Sequence, residues 1–259
     1  MSRRIIPAIV LALSCSLVLS ARSLTDEEIS ALIQADDYEA IRAAIGSTPG
    51  WTTRVLSIFE EQGDLLTMAA MNGAPRTVAG LLRDGANVDG EPAMSNGANV
   101  WGFTPLYAAA RAGHANVVAQ LLAAGAATMR EDNAGFGPLH VAAAFGRVDV
   151  MKLILDAKVP IDTRAMRGDT PLKLAAMRNQ AEGVTFLLSK HADPNLADVR
   201  GDTSLHEAAR NNSAAIAEAL LSHGARLLPN RYGRTPFDEA NDWAPDLLEM
   251  LKSRLADRQ

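Results

Sequence analysis

Between Thr104 and Ala126 the chain reads TPLYAAARAGHANVVAQLLAAGA, with apolar residues on a helical period from Leu106 to Ala110 and again from Val117 to Leu122. Gly113 divides the two runs where a residue of positive φ is needed after a helix end, so the pattern predicts two short antiparallel helices. Thr104 supplies an N-cap oxygen, and Pro105 suits the first helical turn because its missing N–H would have no partner there. A single hairpin of this kind cannot bury its own apolar face, so it needs neighbours of the same kind.

The pattern recurs. Thr104 opens TPLYAAARAG, Gly137 opens GPLHVAAAFG, Thr170 opens TPLKLAAMRN and Thr203 opens TSLHEAARNN, a period of 33 residues, and Thr235 opens TPFDEANDWA one residue early. Asp64 opens a degenerate earlier copy, DLLTMAAMNG, and an insertion that includes EPAMSNGA separates it from Thr104. Each inner copy carries a second apolar helix, such as VVAQLLAAGA or IAEALLSHGA, and a polar connection to the next. Alanine pairs at 69/70, 109/110, 142/143, 175/176 and 208/209 place small side chains where a first helix must approach its neighbours. Leu81/Leu82, Leu121/Leu122 and Leu187/Leu188 are expected to fill the second-helix core, while Asn179 and Asn212 stand for the inter-helix glycine.

These copies meet the pattern T-P-L-H, A-A, G-H, L-L, G-A-D-x-N in part, and over about residues 60 to 255 the sequence resembles the ankyrin-repeat family. The resemblance implies an all-α solenoid of helix-turn-helix units joined by β-turn fingers, with a concave face of fingers and first helices that binds other proteins. Thr25 to Glu28 fit a capping box ahead of two short helices, so residues 22–62 read as degenerate N-terminal capping helices, with Trp51 to Phe59 a further short amphipathic segment. Residues 63–259 then hold about six repeats, the last a charged C-terminal cap.

Residues 1–21 differ from the rest: Arg3 and Arg4, an apolar run from Ile5 to Val18, then Ser20 and Ala21, the order of a secretory signal. The run is shorter than the ~20 residues that span a bilayer. A periplasmic or secreted protein is expected, by general secretion or, on the Arg3-Arg4 pair, by a twin-arginine exporter. The single cysteine, Cys15, lies inside the signal, where it is a poor lipidation site, so the mature chain would have neither thiol nor disulfide. Without Arg3 and Arg4, 23 basic residues face 30 acidic ones, a net charge of −7, which argues against nucleic acid as a partner. With 48% apolar and 5% aromatic residues, the core is built from small aliphatic side chains.

Candidate chemistry is sparse. His206-Glu207-Ala208-Ala209-Arg210 starts like a zinc-protease helix but puts a cation where the second histidine must stand. Gly135-Phe136-Gly137 begins a dinucleotide fingerprint, yet His140 occupies the third glycine's place and no strand precedes it. His140 and His206 hold the T-P-L-H position, where the resemblance implies hydrogen bonds between repeats. His114 follows the inter-helix glycine, and His191 and His223 sit near second-helix ends, where a cation suits the dipole. No catalytic residue, metal or cofactor is expected. The competing reading is a periplasmic hydrolase with an unrecognised site in the N-terminal region or in the 91–100 insertion.

In the ankyrin pattern the residues free of packing duty are those of the fingers and the two before the inter-helix turn. Here these are Trp101, Phe103, Arg111, Phe136, Phe145, Met166, Arg167, Asp169, Met177, Arg178, Val199, Arg200, Asp202, Arg210, Asn211, Arg231, Tyr232, Arg234 and Trp243. Arginine, tryptophan and tyrosine carry much interface energy. Seven arginines in an acidic chain point to a protein partner with an acidic, partly apolar surface, bound by a monomer acting as adaptor or cognate inhibitor.

Overall fold

The computed structural model describes residues 24–53, 55–58, 61–90, 94–95, 98–99, 103–240 and 249. The fold is a helical repeat solenoid, and its contacts divide it into two units, one ending at Asn133 and one beginning at Ala134.

The first unit opens with α1 (Asp26–Gln34) and α2 (Tyr38–Ile45). Thr25 Oγ1 accepts the Glu28 N–H at 3.3 Å while the Glu28 carboxylate accepts the Thr25 N–H at 2.9 Å, the reciprocal capping box that the sequence predicts. Ile29, Leu32 and Ile33 from α1 and Tyr38, Ile41 and Ile45 from α2 are buried. A 3-10 turn, Trp51–Thr53, leads to the strand pair β1 (Val55–Ile58) and β2 (Glu61–Asp64), antiparallel with Val55 opposite Asp64. This segment, grouped above with capping helices, is therefore extended. β-Branched Val55 and Ile58 lower helix propensity, and so does Gly63.

Two repeats complete this unit: α3 (Leu65–Met71) with α4 (Pro75–Arg83), and α5 (Pro105–Ala112) with α6 (Ala115–Ala123). The insertion between them contains the strand pair β3 (Met94–Ser95) and β4 (Ala98–Asn99). Asp36, held at φ +53°, turns its carboxylate onto the Arg76 and Thr77 N–H groups at 3.0 and 2.7 Å and so caps α4 from outside. Tyr38 lies where any side chain at Gly80 would collide with its ring, and it donates to Asp84. Burial and that bond push the tyrosine's pKa up to about 12. Arg42 joins Asp84 at 3.1 Å, so one carboxylate ties α2 to α4.

The second unit holds α7 (Pro138–Ala144) with α8 (Val148–Asp156), α9 (Pro171–Met177) with α10 (Ala181–Ser189), α11 (Ser204–Arg210) with α12 (Ala214–Ser222), and the short α13 (Pro236–Glu239). All ten paired alanines, in both units, are fully buried. Deep burial of so small a side chain lets first helices pack closely, and enlarging one overpacks the stack. Asn179 and Asn212 take φ +55° and +52°, the left-handed turn expected of them in the glycine's place.

Candidate functional site

Three successive fingers of the second unit are built alike. Residues 165–169, 198–202 and 230–234 each close a tight hairpin in which the fourth residue, Gly168, Gly201 or Gly233, donates to the carbonyl three back at 2.8 to 3.0 Å. The two arms are joined from Ala165 N to Asp169 O, from Asp198 N to Asp202 O and from Asn230 N to Arg234 O, at 2.8 to 3.0 Å. These are type I turns followed by a left-handed residue, and the glycines take φ from +75° to +83°. Glycine is required at position 201 for a second reason, since a Cβ there would stand 2.9 Å from the Arg231 nitrogen of the next finger.

The tips are stitched together. Met166 N donates to Ala134 O at 3.1 Å, Val199 N to Arg167 O at 2.9 Å, and Arg231 N to Arg200 O at 2.9 Å. Backbone groups at the tips are consumed by this ladder, which leaves the side chains of the two central turn residues to project outward. Met166 and Tyr232 are each 73% exposed, and Arg167, Val199, Arg200 and Arg231 are also exposed.

Behind the tips, the third residue of each first helix reaches the following finger. In α7, the His140 ring accepts from Gly137 N at 3.1 Å through Nδ1, and Nε2–H is shared between Thr163 O and Asp169 O, both at 3.2 Å. His206 in α11 repeats this, accepting from Thr203 N at 3.1 Å and donating to Arg234 O at 3.1 Å. The accepting Nδ1 fixes both rings as neutral with the proton on Nε2. Burial lowers the His206 pKa, and nearby Arg210 adds to that, while Asp202 and Glu239 oppose it.

In α9 the same place holds Lys173, only 1% exposed. Its Nζ lies 2.7 Å from Asp169, 2.8 Å from Asp198 and 3.4 Å from Glu207. Burial disfavours the ammonium, but its bonds to Asp169 and Asp198 outweigh that and hold its pKa above the ordinary lysine value. Burial likewise works against charge on Asp198 and Asp202. For Asp198 the bond from Lys173 prevails, for Asp202 those from Asn230 and Arg210, and both carboxyls stay below the usual range. Arg210 continues the network to Asp202 at 2.8 Å, Glu207 at 3.0 Å and Glu239 at 3.1 Å.

The structure thus divides the residues proposed from sequence. Met166, Arg167, Met177, Arg178, Arg231 and Tyr232 are exposed in the second unit, as is Phe145 at the end of α7. Among the described residues, no carboxylate is in ion-pair range of Arg167, Arg178 or Arg231. Asp169 and Asp202 are corrected: both are buried, one on Lys173 and one on Arg210. Arg210 is corrected as well, because three internal carboxylates occupy its guanidinium. Asn211 is exposed but donates to Ala176 O and Met177 O at 3.0 and 2.9 Å, capping the end of α9. Arg234 pairs loosely with Glu239 at 3.4 Å, and Arg200 with Asp198 and Asp202 at 3.6 and 3.5 Å. Phe103 and Phe136 are half-buried, tilted against Tyr107 and His140 of their own helices at 5.7 and 5.8 Å. Arg111 is exposed in the first unit, where Tyr107 of the same helix reaches Asp132 at 2.9 Å. Trp101 and Trp243 lie outside the described residues, as do residues 1–21.

Sequence reasoning missed Lys173, Asp198, Glu207 and Glu239. The available signal was a lysine in the T-P-L-H place, because a cation there must be buried and must find carboxylates. Among the described residues no cluster of histidine, cysteine, aspartate and glutamate is arranged to hold a metal, and no helix is long and apolar enough to cross a membrane.

A family model described as ankyrin repeats in three copies matches residues 29–132, 66–165, 118–198 and 172–257. The crystal structure of the human ASB11 ankyrin repeat domain is similar to this chain at a TM-score of 0.74 and 26% sequence identity, covering 87% of this chain and 96% of that one. No curated protein matches it.

Proposed function

The chain belongs to the ankyrin-repeat family, and from that premise we propose that it is a non-enzymatic scaffold that holds another protein through the finger tips and first-helix ends of its second unit. Ankyrin repeats are typically protein–protein interaction scaffolds. One observation carries the placement. Of the six large apolar side chains exposed among the described residues, Phe145, Met166, Met177, Val199 and Tyr232 fall at finger tips or first-helix ends of this unit. Arg167, Arg178 and Arg231 lie among them without internal counter-charges. An apolar patch set with unpaired arginines fits a partner surface that is acidic and partly apolar.

The leader-like order of residues 1–21 supports an exported protein, periplasmic or secreted, that acts there as a monomeric adaptor or as a cognate inhibitor or immunity protein. Arginines on such a face would speed capture of an acidic target. Capture from a periplasmic extract tests the site, with the wild-type chain run beside an Arg167→Glu, Arg178→Glu, Arg231→Glu variant of unchanged helical spectrum. One protein held by wild type and released by the variant is the expected result; equal capture by both moves the site elsewhere. Fractionating cells that express a tagged full chain tests export, and a chain confined to the cytoplasm would end that part of the reading.

A further inference from the structure

We infer that the finger ladder of the second unit binds an extended acidic segment of its partner and reads it at every third residue. This rests on the scaffold reading above and commits that site to one kind of occupant. The argument begins with the backbone. Within each finger the two arms are hydrogen-bonded to each other, and each tip is hydrogen-bonded to the tip before it, at 2.8 to 3.1 Å throughout. One repeat therefore advances the ladder by two strand-to-strand steps of about 4.8 Å, a pitch of roughly 9.6 Å.

An extended chain of the polyproline II form rises about 3.1 Å per residue and returns to the same face every third residue, so three residues cover about 9.3 Å. A bound segment of that form stays in step with successive fingers. An α-helix returns to one face about every 5.4 Å, so its second turn falls at about 10.8 Å and overshoots the pitch at every finger.

The side chains repeat with the same pitch. The first finger presents Met166 and Arg167, the second Val199 and Arg200, and the third Arg231 and Tyr232, all exposed. Each finger thus offers one apolar surface and one guanidinium, with the order reversed in the last. Guanidinium takes a carboxylate through paired N–H groups, so the matching segment carries one carboxylate and one apolar residue in every three. Arg200, 45% exposed and 3.5 to 3.6 Å from its own two aspartates, is the loosest of the internal pairs and turns outward with the least loss.

Fluorescence anisotropy at low salt with the full chain tests this. The probe is a labelled twelve-residue peptide with glutamate at every third position and leucine and proline between, compared with a peptide of the same composition whose glutamates are consecutive. The period-three peptide should bind at least about fivefold more tightly, the size that two or three exposed ion pairs give. An Arg167→Gln, Arg231→Gln variant should lose that preference while keeping its helical spectrum. Equal affinity for the two peptides would overturn the inference, as would an unchanged preference in the variant or no binding of either peptide. A partner captured in the extract experiment beside failed peptides would keep the scaffold and remove the extended mode.

Discussion

The junctions at His140 and Lys173 do one task by different physics. Both side chains stand at the same place in successive first helices, both are buried, and both hold the finger that follows. His140 does so as a neutral ring between a backbone donor and backbone carbonyls, and His206 repeats that arrangement one repeat further on. Lys173 does so as an ammonium among three carboxylates. The neutral junction needs only the main chain, whereas the charged one depends on specific side chains in two other segments. Losing one partner is correspondingly worse at the charged junction, because what remains is an uncompensated buried charge.

Four experiments break or sharpen this contrast. Lys173→Met strands Asp169, Asp198 and Glu207, and should cost about 3 to 5 kcal/mol in urea unfolding; adding Asp198→Asn should restore part of the loss. A cost below that of the histidine variant would refute the asymmetry. His140→Leu leaves a buried N–H and finger carbonyls unmatched, at about 1 to 3 kcal/mol by the same measurement.

Acid separates the junctions by pH. The folded His206 pKa lies below 6.5, so the unfolded chain takes up that proton first, and stability should start to fall as pH drops below 6.5. The contribution of Asp198 and Asp202 is in place above 3.8 and is lost only as pH falls through their lower folded values. Thermal melts from pH 7 to pH 2 should show two successive losses, with a His206→Gln variant showing a smaller upper one. The smallest effect is expected at Arg200→Gln, below about 1 kcal/mol for a half-exposed pair. That cost should shrink as salt is added, while the cost of His140→Leu should not.

Helix ends and packing could be read from sequence because they depend on local chemistry. Thr104 and Thr170 cap with their side chains, accepting from Tyr107 N and Lys173 N at 3.1 and 3.2 Å, and Gly113 takes φ +92°. The finger residues were legible as positions but not as roles. Arg210 looked like a surface arginine, since nothing in a linear reading shows that residues 3, 8 and 29 positions away bring three carboxylates to it. Lys158 and His191 show the same limit in the backbone. They take φ +67° and +66° at helix ends where other repeats use Gly125 and Gly224, a conformation that the rest of each repeat imposes against local preference.

The lysine junction also gives the repeats an address. A histidine-bearing helix can be satisfied by any following finger, because every finger carries a main-chain carbonyl at the place it needs. Lys173 requires a carboxylate at the base of the next finger; Asp198 supplies it, whereas the corresponding place is Ala165 in the finger before and Asn230 in the finger after. A misfolded chain that skipped α11 and α12 would set the ammonium against Asn230 in the place of Asp198, with Arg234 at the other foot of that finger and only Asp169 and Glu239, the counterpart of Glu207, left to it. Near-identical repeats invite such slips during folding, and one buried cation makes this slip costly, so the order of the stack is written into its charges as well as into its chain.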